Sequence, residues 1–370
     1  MTFVLSSATV YTGVAKYGHR ILEYIEKSGQ QGQYILLLNN ISGNAIKKIH
    51  PNFEYIIIGK RWMKNTLFFK YFFYMYEFKH CVNHMDANLL FSPSGGPICS
   101  PKINKSKICV FHDMQVRIDA KLFNRRDAWI YVKSEDRLAK NAKFIFTISE
   151  FSKRQILSYY PTIGSKLINM SNSVSMVKTE GIEPMKIGCP YLLYVGRLCQ
   201  QKNLMTLLKA FNRIKDKYQN YKLVLVSNDG EYWKEIMLPY INEQHIDNRI
   251  ILTGWCSEED LSRWYLGASA FVFPSVREGF GSPPLEAAYM EIPVITSKAD
   301  SLDEVTLGLL NYYEPPMDDE MLASAICKTL ENPPSMQRMR EIRKEYESHY
   351  SIDVIGKRIC DFLQKENEKY

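Results

Sequence analysis

Between residues 191 and 296, short apolar runs alternate with stretches whose apolar residues recur every three or four positions. The runs at 191–195, 222–226, 249–252, 270–273 and 293–296 predict strands, each short enough to be buried on both faces. Between the first two, Leu204, Leu207, Leu208, Phe211 and Ile214 fall on one helical face, while Lys209, Arg213, Lys215 and Lys217 point elsewhere. Strand and helix in strict alternation fold as a parallel sheet covered by helices on both faces. The first half repeats the theme less regularly, with strands predicted at 3–6, 34–38, 55–58, 88–91, 107–111 and 144–148. Helices are predicted there at 14–26, 122–140 and 150–159. Two doubly wound α/β domains follow, residues 1–177 and 178–350. In such sheets ligands bind beyond the carboxyl ends of the strands, so the residues just after each strand are the ones to inspect.

A length of 370 residues fits two domains at about 100 to 200 residues each. With 46% apolar and 24% charged residues, the chain is neither disordered nor fibrous. The overall charge of +7 hides an asymmetry: through Val177 there are 24 basic and 11 acidic residues, and after it 23 and 29. A basic half attracts nucleic acid, an anionic membrane surface or a phosphorylated substrate. Nucleic acid is the poorest fit, because no binding module is recognisable and the basic residues do not cluster on one helix. The eight cysteines show no Cys-x-x-Cys spacing and read as reduced core residues. No secretory signal is visible at Met1–Ser7. The apolar stretch from Asn65 to Val82 is broken by Lys70, Glu77 and Lys79, short of the roughly 18 uncharged residues of a membrane span. The expected location is cytoplasmic, at most peripheral on the inner membrane face.

Two segments carry chemistry. In the first, the predicted strand from Tyr191 ends in Gly196-Arg197 and is followed by a loop with Lys202-Asn203 and then a helix. An Arg fork and a Lys point charge so placed can together hold a diphosphate, although taken alone a solvated loop with two basic residues is the better fit. In the second, Pro274-Ser-Val-Arg-Glu278-Gly-Phe280-Gly281-Ser282-Pro283-Pro284-Leu-Glu286-Ala runs from a strand into a helix. The two prolines suit a first helical turn but lack N–H groups, which leaves Gly281 and Ser282 as amide donors to an anion. Glu278 is expected in the loop and Glu286 in the first helical turn, each able to clamp a vicinal diol. A lone Glu in a first turn also fits a surface residue that stabilises the helix dipole.

The paired glutamates within Arg-Glu-Gly-Phe-Gly-Ser-Pro-Pro-Leu-Glu-Ala resemble the signature of the retaining GT-B glycosyltransferases of family 4. Gly196-Arg197, Lys202-Asn203 and the stretch from Leu252 to Leu261 with Ala268 are similar to the same family, which the chain resembles most over about residues 190 to 300. The resemblance implies two facing Rossmann-like domains with a cleft between them, a nucleotide-sugar donor held mainly by the second domain, and no cofactor or metal. A last helix over 351–370 is expected to pack back on the first domain. The resemblance assigns Arg197 and Lys202 to the diphosphate, Glu286 to the ribose and Glu278 to the transferred sugar. Donor contacts are also expected at Gly196, Phe280, Gly281 and Ser282.

In the first half, Val110-Phe111-His112-Asp113-Met114 looks like the family's His-Asp-Leu element, which would bring His112 to the transferred sugar. Thr12-Gly13 resembles its Gly-Gly loop, with Gly13 left to offer an amide to phosphate. The chain departs from the family pattern at Ser227-Asn228-Asp229-Gly230 and at Ser171-Asn172-Ser173-Val174, which leaves the nucleotide base open. No residue stands out as a covalent nucleophile. The expected reaction is therefore front-face transfer of a hexose, mannose or similar, to a glycan or lipid-linked acceptor of a bacterial surface polysaccharide. Arg197 and Lys202 would stabilise the leaving charge. The alternatives are a nucleotide-sugar epimerase of the same fold and a non-enzymatic nucleotide- or nucleic-acid-binding protein. A dinucleotide oxidoreductase lacks its Gly-x-Gly-x-x-Gly after any predicted strand.

Overall fold

A computed structural model of the protein describes residues 1–5, 13–40, 43–59, 74–94, 96–100, 102–118, 124–174 and 181–370. Thr12 and the basic-aromatic run from Lys60 to Phe73 lie outside the described residues. The chain divides into two compact units, Met1–Ser173 together with Ile352–Tyr370, and Val174–Ser351.

The first unit holds strands β1 (Thr2–Leu5), β2 (Ile35–Asn39), β3 (Glu54–Ile58), β4 (Leu89–Ser92), β5 (Ser106–Val110), β6 (Phe144–Thr147) and β7 (Leu167–Asn169). They form one sheet in the order β3-β2-β1-β4-β5-β6-β7, with every pair parallel. Val4, Leu37, Leu90, Cys109 and Ile145 are buried in its core. The helices that bear on function are α1 (Gly13–Lys27), α2 (Gln115–Ile118), α3 (Arg125–Asn141) and α4 (Glu150–Tyr159). Their starts are marked locally: Asn124 and Ser149 accept from the amides of Arg126 and Ser152, satisfying donors that a helix leaves open at its N-terminus.

The second unit holds β8 (Tyr191–Val195), β9 (Lys222–Val226), β10 (Ile250–Leu252), β11 (Ala270–Phe273), β12 (Val294–Ser297) and β13 (Asn311–Tyr313). Its order is β10-β9-β8-β11-β12-β13, again all parallel. Residues of β8, β9 and β11 are almost wholly buried, as continuous apolar runs between two helical layers require. The helices of this unit that bear on function are α5 (Leu204–Ile214), α6 (Glu258–Gly267), α7 (Ser282–Tyr289) and α8 (Met336–Tyr350).

The last helix, α9 (Ile352–Asn367), belongs to the first unit and lies on α1. Ile355, Ile359, Cys360 and Leu363 form its buried face. Gly356 lets the helices close, since a Cβ there would run into the Tyr24 ring. Lys27 and Asp353 pair across the contact at 2.6 Å. Arg20 of α1 donates to the Ser173 carbonyl and Arg358 of α9 to the Met170 carbonyl, so two guanidinium groups hold the chain just before it leaves this unit.

Three sequence expectations need correction. Strands β7 and β13 were not foreseen, because Leu167-Ile168-Asn169 and Asn311-Tyr312-Tyr313 lack the unbroken aliphatic run that marks β10 at Ile250–Leu252. All eight cysteines are free, but only Cys99, Cys109 and Cys360 are buried; the other five are half-buried, not core. Glu286 does not lie in the first turn of its helix: α7 starts at Ser282, which puts Glu286 one residue beyond that turn. Among the described residues no helix is long and apolar enough to cross a membrane.

Candidate active site

The second sheet reverses its winding between β8 and β11, and the two motif segments leave those neighbouring strands side by side. Such a switch point opens a crevice beyond the strand ends. At the end of β8, Gly196 has φ of 148°, and a Cβ there would meet the Tyr194 hydroxyl at 2.8 Å, so glycine is required. That hydroxyl donates to the Arg197 carbonyl at 3.0 Å, and the Tyr194 ring stacks on Phe273 of β11. Burial holds the Tyr194 phenol far above its ordinary value, with Glu278 adding in the same sense, so it stays a donor. Arg197 itself is exposed at the strand end.

A single 3-10 turn, Gln200–Lys202, then leads to Asn203, which adopts a left-handed conformation with φ of 56°. Its amide donates to the carbonyls of Pro274 and Pro316 at 3.1 and 2.7 Å, and its oxygen accepts from Thr206. Asn203 thus ties the start of α5 to the end of β11. The Gln201 carbonyl accepts from the Val276 amide at 3.0 Å and from the Ser275 hydroxyl, which joins the two loops directly.

Lys202 and Glu278 meet between these loops. Lys202 Nζ pairs with Glu278 Oε1, and their side chains are only 16% and 12% exposed. The ammonium also lies 5.6 Å from the centre of the Phe273 ring. The Glu278 backbone is fixed in turn: its amide donates to Asp300 after β12, and its carbonyl accepts from Ser301 at 2.9 Å. Burial raises the Asp300 carboxyl above its ordinary value, against the Glu278 amide and the Arg277 charge, which lower it.

Beyond Glu278, Phe280 is buried edge-on against Tyr350 of α8. Gly281 takes φ of 83° as the residue before α7, and a Cβ there would run into Leu302. Ser282 opens α7, followed by Pro283 and Pro284 in its first turn. Glu286 lies against the buried Tyr265 hydroxyl of α6. Burial first, and the Glu286 charge second, hold that phenol well above its ordinary value.

In the first unit, His112 follows β5. Its Nε2 donates to the Pro93 carbonyl at 2.7 Å, and its ring stands edge-on to Tyr17 at 5.2 Å. Burial lowers its pKa, opposed by the Pro93 carbonyl and Asp113, so the ring favours the neutral form with Nδ1 as acceptor. Gly13 is the first residue of α1, exposed and with open space where a Cβ would stand. Among the described residues no three His, Cys, Asp or Glu side chains converge as a metal site would require.

Residues 182–346 match the family model for glycosyl transferases group 1. Among curated proteins, the chain is similar to O-antigen chain mannosyltransferase B of Escherichia coli, 29% identical over 237 residues. That match spans 61% of each chain, so it covers less than two thirds of the relative. Among solved structures it resembles a sucrose-phosphate synthase from Thermosynechococcus elongatus over the full length of both chains, with a TM-score of 0.80 and 17% identity. It also resembles Anabaena HepE, solved with UDP and glucose, over 98% of both chains, with a TM-score of 0.74 and 12% identity. These likenesses establish the fold as that of the GT-B glycosyltransferases. The residues of the second unit that the sequence singled out, Gly196, Arg197, Lys202, Glu278, Phe280, Gly281, Ser282 and Glu286, all lie on the loops after β8 and β11 or on α7. Tyr194, Asn203, Asp300 and Ser301 escaped notice as supports. Asn203 carried a signal as part of the Lys202-Asn203 pattern after β8, and Asp300 and Ser301 carried one by following the carboxyl end of β12.

Proposed function

We propose that this group 1 protein is a metal-independent, retaining glycosyltransferase. It moves a hexose, mannose or a close analogue, from a nucleoside diphosphate sugar to a lipid-linked glycan during synthesis of a bacterial surface polysaccharide. The observation that carries this reading is the ion pair of Lys202 with Glu278, formed by neighbouring strands at the switch point of the sheet. A cation and a carboxylate meeting there suit a ligand that brings an anionic diphosphate beside a sugar rich in hydroxyls. The choice of mannose and of surface polysaccharide rests on the E. coli O-antigen relative, and that of a nucleoside diphosphate on the HepE complex.

In the proposed reaction the bond from the anomeric carbon to the diphosphate breaks, and its electrons leave with the phosphate oxygen. Arg197 and Lys202 take up that charge, helped by the Gly281 and Ser282 amides, in the way preorganised donors stabilise a developing oxyanion. The acceptor oxygen bonds to the same face of the carbon, and its proton passes to the departing phosphate oxygen. Glu278 accepts hydrogen bonds from sugar hydroxyls and Glu286 from ribose hydroxyls. Neutral His112 offers Nδ1 to a hydroxyl near the reacting carbon.

Thermal-shift screening with UDP, GDP and dTDP identifies the nucleotide, since a ligand that binds only the folded state raises stability. NMR of the product from the matching sugar nucleotide, with and without EDTA, then tests the chemistry. The expected result is a retained anomeric configuration and undiminished turnover in EDTA. An inverted product, or an absolute need for added metal, overturns the mechanism.

A further inference from the structure

Five residues after His112, Arg117 lies at the centre of a charged cluster to which the proposed function assigns no part. Its Nε donates to Glu135 of α3 at 3.0 Å, and its Nη2 reaches both Asp136 of α3 and the Tyr160 hydroxyl. The Tyr160 hydroxyl donates in turn to Asp136 at 2.9 Å. The guanidinium also stacks 4.9 Å from the centre of the Tyr160 ring and 5.7 Å from that of Tyr159. Asp113 adds a third carboxylate close enough to act on Glu135. One cation thus faces two carboxylates and two aromatic rings, with Asp113 near one of those carboxylates, more than a surface tie would gather.

The loop this cluster borders is the one that carries His112. Tyr160 reaches both of its ends: its ring packs on Phe111, immediately before His112, and its hydroxyl meets Arg117 just after the loop. Between those points the loop is held by small contacts. Asp113 caps the Gln115 amide at 3.0 Å, the Met114 amide donates to Gln155 of α4, and the amides of Arg117 and Ile118 turn back onto the Met114 carbonyl. The four-residue α2 is too short to be stable alone, so its orientation depends on what grips it from outside. A planar fork with several donors fixes direction as well as distance, which an ammonium does not.

We propose that Arg117, braced by Tyr160, is a positioning residue that sets the orientation of the His112 loop for transfer. The inference rests on the reading of His112 as a group that approaches the transferred sugar. Arg117 touches no substrate and acts only through that loop.

The test measures kcat and the donor KM for Arg117→Met, Arg117→Lys and Tyr160→Phe, each also combined with His112→Ala. Arg117→Met is expected to lower kcat at least about tenfold with the donor KM within about twofold, because the donor is held by the other unit. Arg117→Lys should recover only part of the loss. In the His112→Ala background neither Arg117→Met nor Tyr160→Phe should cost anything further, since residues acting through one group are not additive. Tyr160→Phe keeps the ring and removes only the hydroxyl, so it remains informative if Arg117→Met does not fold. If the Arg117 and Tyr160 variants retain normal kcat while His112→Ala is impaired, the positioning role is overturned and the function stands. Additive losses in the double variants overturn it as well. Normal turnover in His112→Ala overturns the reading of His112 and the proposal with it.

Discussion

Lys202 and Glu278, 76 residues apart in the chain, share one ion pair at the end of the second sheet. In the proposed reaction they have separate duties, one to the diphosphate and one to the sugar, so the pair must open when donor enters. Glu278 is therefore a competitor for Lys202 as long as no diphosphate is present. Glu278→Gln removes the competition, and calorimetry should show a bare nucleoside diphosphate binding about fivefold more tightly, the equivalent of about 1 kcal/mol. Transfer should still fall, since a neutral amide accepts sugar hydroxyls less strongly than a carboxylate. A large loss of diphosphate affinity in this variant would mean that Glu278 serves the nucleotide and not the sugar.

Arg197 and Glu286 separate by the same logic. Arg197→Ala should lower turnover at least about 100-fold with the fold intact, because an exposed side chain is removed and only the leaving-group charge loses its donor. Glu286→Ala should instead weaken binding of the bare nucleoside diphosphate, since its partner is the ribose. Near-normal turnover in purified Arg197→Ala, or unchanged affinity in Glu286→Ala, removes the respective assignment.

The strands at 191–195, 222–226 and 270–273 were legible to the residue, because each is an apolar run, led by Lys222 in the second, closed by Gly, Ser or Pro. β13 was not: Asn311-Tyr312-Tyr313 reads as a loop, and only its pairing with β12 makes it a strand. Lys202 and Glu278 stood out in the sequence as candidates, but their contact did not, since it depends on β8 and β11 being neighbours in the sheet. Asn203 shows the limit most clearly. Its left-handed backbone is stabilised by two carbonyls from distant segments, Pro274 and Pro316, and no local pattern announces them.

Glu135, beside Arg117, gives the first unit a pH dependence of definite sign. Burial raises its carboxyl from the ordinary 4.5 to about 7, more than the Arg117 contact lowers it. Between those values the unfolded chain has lost the proton that the folded protein keeps, so stability falls as pH rises through this window and levels off above about 7. Glu135→Gln keeps an acceptor for Arg117 and abolishes the titration. Its melting temperature relative to the wild type should therefore climb between pH 5 and pH 8. A difference that stays constant over that range would show that Glu135 ionises normally in the folded state.

The remaining prediction concerns the acceptor. If the glycan is lipid-linked, the protein must work at a membrane surface, and its first half is suited to an anionic one, with 24 basic and 11 acidic residues through Val177. The run from Lys60 to His84 sets Lys60, Arg61, Lys64, Lys70 and Lys79 among Trp62, Phe68, Phe69, Tyr71, Phe72 and Phe73. Along α3, Arg125, Trp129 and Lys133 follow at intervals of four, a spacing that puts them on one face, and all three are exposed. Basic side chains near anionic lipid contribute about 1 kcal/mol each, and indole rings favour the headgroup level. Membrane docking and plain solvation of these side chains part in a sedimentation experiment. The protein should pellet with vesicles containing anionic lipid at low salt, release as salt rises, and bind more weakly once Lys60, Arg61 and Lys64 are changed to Glu. Vesicles of neutral lipid should leave it in solution. If the wild-type protein stays in the supernatant with anionic vesicles at low salt, the surface is not a membrane site and the acceptor is a soluble glycan.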